Sequence, residues 1–126
     1  IELTSEVPVG RTLLLSGNYT YNDTEDADGE QRLRAPEHMA NLGIRFTPWD
    51  TRLVVNLNLR TARDFPAELG GDIDDYEVLD LSVSYQVFDA MEIYGRVENL
   101  TDENYQEVPT YKTAGAAGYA GLRFSF

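Results

Sequence analysis

The chain is 126 residues long, carries a formal net charge of -12 and contains no cysteine. The acidic balance argues against a nucleic-acid partner, and the missing thiols exclude a disulfide framework and any thiolate metal site. No stretch approaches the ~18 apolar residues of a membrane helix, which leaves crossing by strands open.

Charge is unevenly placed. Segments 22–37, 62–77 and 99–116 hold 15 of the 22 acidic residues and only 4 of the 10 basic ones, so they carry -11 of the -12. The rest is nearly neutral, as expected of a wall that meets lipid while those segments meet water. The chain opens at Ile1 with neither a basic nor an apolar leader, which reads as a piece of a longer chain.

Period-2 alternation is the dominant signal along the chain and predicts strands rather than helices. Ile1 to Glu6 reads as the tail of one strand. Residues 13–21 oppose Leu13, Leu15, Gly17, Tyr19 and Tyr21 to Leu14, Ser16, Asn18 and Thr20. Residues 40–46 oppose Ala40, Leu42, Ile44 and Phe46 to Asn41, Gly43 and Arg45. Leu53, Val55, Leu57 and Leu59 face away from Arg52, Asn56, Asn58 and Arg60, a face that is polar except for Val54. Residues 79–87 set Leu79, Leu81, Val83, Tyr85 and Val87 against Asp80, Ser82, Ser84 and Gln86. Residues 91–98 set Met91, Ile93, Gly95 and Val97 against Glu92, Tyr94, Arg96 and Glu98. The last segment sets Ala120, Leu122, Phe124 and Phe126 against Tyr119, Gly121, Arg123 and Ser125.

The connections alternate as well. Val7–Gly10, Pro48–Asp50 and Phe88–Ala90 are short, and the acidic segments between the other strands are long. Short periplasmic turns, long external loops and a periplasmic C-terminus are the rhythm of an outer-membrane barrel. Tyr19 and Tyr21 fall on the outer side, and Phe46, Trp49, Tyr85, Phe124 and Phe126 near the inner side, as two aromatic girdles require. The expected fold is all-β: an antiparallel transmembrane sheet of about seven strands spanning residues 1–126 as one unit. An odd strand number should not close by itself, and its bare edges would invite aggregation. A soluble antiparallel sandwich acting as a binding module explains the alternation equally well, but not the long-short rhythm. A small passive barrel, pore or adhesin, closed by a further strand, is the other alternative.

Two segments carry a family resemblance. Val97 to Tyr105 resembles the "N-L-x-D-x-x-Y" segment before the last strand of TonB-dependent receptors, and Gly118 to Phe126 resembles their closing strand with its terminal Phe. Leu33 to His38 is similar to the "R-x-P-x-H" lead-in to an earlier strand. The resemblance implies a fragment of a plugged barrel of about 22 strands in the outer membrane of a Gram-negative bacterium. It implies TonB-dependent import of a scarce metal chelate, with no catalysis. The plug, and TonB acting through it, would be partners lying outside this segment. Gln106 to Pro109 with Gly118 to Arg123 is most similar to cobalamin receptors, and iron-siderophore receptors share much of it.

The candidate site residues follow. By resemblance, Tyr119, Leu122, Phe124 and Phe126 form the signal read by the outer-membrane assembly machinery; the plainer role of Phe126 is an interface anchor. Arg45, Arg52, Arg60, Glu92, Arg96, Glu98 and Arg123 would line the lumen, touching the plug or neutralising one another across strands. Asp72, Asp74, Asp75 and Glu77 are the densest carboxylates, where calcium in an outer loop would find oxygen ligands; solvated loop charge is the alternative. Asp26-x-Asp28-Gly29 opens like an EF-hand but Ala35 stands where the bidentate Glu belongs, which rejects it. Tyr76, Tyr105 and Tyr111 could stack on a flat ligand or pack within the loops. His38, the one histidine, sits at a strand start with no nucleophile to serve.

Overall fold

The computed structural model describes residues 1–23, 36–65, 73–108 and 110–126. Seven strands form one antiparallel meander in chain order: β1 (Glu2–Val9), β2 (Leu13–Tyr21), β3 (His38–Phe46), β4 (Leu53–Arg63), β5 (Tyr76–Phe88), β6 (Met91–Glu98) and β7 (Ala117–Phe124). Most strands run longer than the alternation suggests. β1 continues through Val7 to Val9, so its turn starts at Gly10 rather than Val7. β5 starts at Tyr76 rather than Leu79, because main-chain pairing with β4 persists after the apolar pattern gives out. β7 starts earlier, at Ala117, and ends at Phe124, leaving Phe126 beyond the ladder.

Directly paired residues share a face, and the register shows what each face is made of. One row across the sheet reads Val7, Leu15, Ile44, Leu57, Leu81, Val97 and Gly118. A row on the opposite face reads Pro8, Leu14, Arg45, Asn56, Ser82, Arg96 and Tyr119. The polar face satisfies its own amides: Asn41 Nδ2 donates to Asn18 Oδ1 at 2.9 Å and Asn56 Nδ2 to Ser82 Oγ at 3.2 Å.

Among the described residues no second sheet covers either face. Leu42 on the apolar face is 55% exposed, which in water would forfeit most of the ~2 kcal/mol its burial could contribute. A hydrocarbon solvent removes that cost, and a sandwich, which needs a second layer, does not fit. Among the described residues the few buried apolar side chains, Ala62, Ile73, Tyr76 and Val78, gather where β4 and β5 meet the long connections.

The two ends differ. At the short-turn end Gly10 takes a positive φ of 65°, Asp50 and Thr51 take 43° and 71°, and Thr47 N–H donates to Thr12 O at 2.7 Å, tying two turns together. Trp49 meets the Tyr85 ring edge-on at 6.5 Å there. At the other end the bases of the long connections are zipped: Asn22 N–H donates to Glu37 O at 2.8 Å and Glu37 N–H to Asp64 O at 3.0 Å.

Candidate functional site

At the long-loop end the polar face opens into a cleft of about 500 Å³. Arg60 reaches it from β4, Asp80 from β5 and Glu98 from β6, while Asn99 and Tyr105 come from the last connection. Arg60 Nη2 donates to Tyr105 Oη at 3.2 Å and Nη1 pairs with Glu107 Oε1 at 3.3 Å, so the guanidinium fastens the loop to the wall. The cleft offers guanidinium, carboxylate, amide and phenol groups, and it suits recognition by hydrogen bonds. His38, the chain's one histidine, stands on the opposite face, in register with Tyr21 and Arg63.

Asn99 organises this loop. It is 4% exposed and holds φ at 51°, a left-handed conformation that asparagine tolerates better than most residues. Its Nδ2 donates to Glu103 O at 2.8 Å and Ala114 O at 3.3 Å, and its Oδ1 accepts Glu103 N–H at 2.8 Å. Its own N–H donates to Asp80 Oδ1 at 2.9 Å. Asp102, also left-handed at φ 55°, accepts Ala116 N–H at 2.8 Å. A Cβ on Gly115 would lie 2.6 Å from that same Asp102 Oδ1, so glycine makes the approach possible. Tyr105 completes the set, its ring 4.6 Å from that of Tyr76. Asn99 and Asp102 are thus two left-handed corners, and Tyr105 the aromatic anchor, of one folded loop, in which Thr110 is left-handed as well at φ 71°.

The remaining candidates fall as follows. Arg45, Arg60, Glu92, Arg96, Glu98 and Arg123 share the polar face, whereas Arg52 lies in the turn before β4. Glu92 pairs with Arg123 directly across β6 and β7 at 2.6 Å, and Arg96 pairs with Glu98 at 3.3 Å. Arg96 also lies 4.5 Å above the Tyr119 ring. Leu122, Phe124 and Phe126 are exposed, with Phe124 and Leu122 on the apolar face.

The loop candidates need correcting. Tyr76 is 8% exposed between Phe65 and Tyr105 and offers no free face to a flat ligand. Tyr105 is committed to Tyr76 and Arg60, and Tyr111 alone of the three stands open. Among the described residues, the carboxylates predicted to gather a cation, Asp74, Asp75 and Glu77, do not converge. Asp75 accepts the Asp64 N–H at 2.8 Å, Glu77 pairs with Arg63, and Asp72 lies outside the described residues, as does the Asp26 to Gly29 stretch.

A different group does converge. The ligand atoms of Glu37, His38 and Asp64 all lie within 4.8 Å of one another. Pairing of β3 with β4 brings the two segments together, so spacing along the chain gave no signal. Only the strand-start position of His38 pointed there.

Comparison with known proteins agrees with this architecture. The family model "TonB dependent receptor-like, beta-barrel" matches residues 1–100. An "Iron-regulated outer membrane virulence protein" of Vibrio cholerae serotype O1 is 30% identical over 137 residues, covering 99% of this chain and 21% of that protein. A "Vitamin B12 transporter BtuB" of Photobacterium profundum is 27% identical over 127 residues, covering the whole chain and 21% of its own length. Among solved structures, "Copper transporter OprC" superposes with a TM-score of 0.80 at 17% identity, over 99% of this chain and 23% of that one, a likeness of fold. The chain spans about a fifth of the length of these relatives. A single-layer meander with one apolar and one polar face, matched along most of its length, therefore belongs to the TonB-dependent receptor-like β-barrels of the Gram-negative outer membrane.

Proposed function

We propose that this chain is wall from the last third of the barrel of a TonB-dependent transporter importing a scarce metal chelate, cobalamin or an iron-siderophore. It supplies lipid-facing strands, outer loops and, through Tyr119, Leu122, Phe124 and Phe126, the signal for the outer-membrane assembly machinery. Its polar face, with Arg45, Arg60, Arg96 and Arg123, would pack on the plug through which TonB acts. The observation carrying this reading is the cleft around Arg60, Asp80 and Asn99, which opens on the polar face at the long-loop end. A chelate arriving from outside meets that surface first. The relatives named for iron regulation and vitamin B12 transport support this substrate class.

The test expresses the full-length gene in a Gram-negative host lacking its own receptors and follows uptake of radiolabelled cyanocobalamin and ferric siderophores. Uptake of one chelate that stops when TonB is deleted is the expected result. Passive, TonB-independent flux of small solutes would replace this reading with that of an open pore.

A further inference from the structure

We propose that Glu37, His38 and Asp64 form a binding site for a late first-row divalent cation, of the zinc, nickel or copper type, at the outer rim of the lipid-facing side of the sheet. The site lies on the face opposite the cleft and is independent of what the barrel transports.

The geometry starts with the imidazole. His38 Nδ1 lies 2.6 Å from the Tyr19 hydroxyl, whose oxygen can accept a hydrogen bond from Nδ1–H and leave the Nε2 lone pair free. That arrangement, with one ring nitrogen fixed by a hydrogen bond, is how metal-ligating histidines are usually oriented. The ring is further held between Tyr19, stacked at 6.0 Å, and Tyr21 at 5.2 Å. Nε2 points towards Asp64, whose Oδ2 is 3.7 Å away. Two ligands at ~2.1 Å from a tetrahedral ion stand ~3.4 Å apart, so only a few tenths of an ångström separate this pair from ligating geometry. Glu37 brings a second carboxylate into the same 4.8 Å cluster.

The backbone supports the pairing. Glu37 N–H donates to Asp64 O at 3.0 Å, and Asp64, left-handed at φ 57°, is held by the Asp75 carboxylate on its N–H at 2.8 Å. Charge points the same way. Arg63, the basic residue beside the cluster among the described residues, is engaged by Glu77. Two carboxylates therefore face one imidazole, and a dication balances them better than a single imidazolium. An imidazole with two carboxylates selects zinc, nickel or copper over calcium or magnesium, which favour oxygen alone. An ion here would clamp the start of β3 to the end of β4 where both leave the membrane.

The test uses the full-length protein in detergent micelles, titrated with Cu²⁺ and read by electron paramagnetic resonance, with Zn²⁺ as competitor. The difference between wild type and His38→Gln should contain one Cu²⁺ signal showing coupling to a single imidazole nitrogen, displaced by Zn²⁺. Asp64→Asn should weaken that signal's affinity at least tenfold, and Tyr19→Phe, which frees the ring without removing a ligand, by about tenfold. A null difference spectrum between wild type and His38→Gln overturns the proposal and leaves an ordinary histidine–carboxylate ion pair. So does a nitrogen-coupled signal that Asp64→Asn leaves untouched.

Discussion

Replacing Asn99 by alanine should loosen the last connection far more than any other single change in it. The substitution deletes three side-chain hydrogen bonds, to Glu103 O, Ala114 O and from Glu103 N–H, at a buried position. At about 1 kcal/mol net each they amount to about 3 kcal/mol. Alanine in the left-handed conformation adds about 1 kcal/mol more. The chain's single lysine, Lys112, lies exposed within the same loop and makes a convenient reporter. A lysine-specific protease needs several residues in extended form, so cleavage after Lys112 tracks local opening. A total loss of about 4 kcal/mol raises the open population, and so the cleavage rate, about a thousandfold. Asn99→Gly removes the same bonds but relieves the backbone, and should cleave about fivefold more slowly than the alanine variant. If Asn99→Ala is cut within threefold of wild type, the loop does not depend on this residue and the account of its hydrogen bonds is wrong.

Three further outcomes are expected. Gly115→Ala should push Asp102 off the Ala116 N–H and cost about 1–3 kcal/mol by the same cleavage assay, with little extra effect in an Asp102→Ala background, because both changes break one contact. Gly121→Ala should displace the Tyr94 ring, whose Cζ would lie 2.6 Å from the new methyl, and cost about 1–3 kcal/mol of stability as an overpacked site, read as a lower thermal midpoint of the barrel in micelles. Leu57→Arg, in the middle of the apolar row, should reduce folding into lipid vesicles by about 2–4 kcal/mol in a denaturant titration, whereas Asn58→Arg on the opposite face should fold nearly as well as wild type.

Much of the fold is legible in the sequence because a sheet with two different solvents repeats at two residues. The opposition of Leu53, Val55, Leu57 and Leu59 to Asn56, Asn58 and Arg60 already contains the two faces of β4. Strand ends are less legible. Tyr76 and Val78 sit on the polar side of β5 yet are buried, because the last connection folds over them, and periodicity cannot see a loop packing down. For the same reason Tyr76 looks from sequence like a ligand-stacking group and is a packed anchor. The motif from Asn99 to Tyr105 stands out as a string, but its role in setting backbone corners shows only when Asp80, Ala114 and Gly115 arrive from elsewhere. The Glu37, His38 and Asp64 group depends on the register between β3 and β4, which fixes His38 opposite Arg63.

The meander pairs each strand only with its neighbours in sequence. Every hairpin can therefore form from segments already close along the chain, and little loop entropy is lost before contacts reward it. This topology allows such a wall to grow by docking one hairpin at a time onto the last, with a distant partner needed only for the final seam that turns a ribbon into a tube.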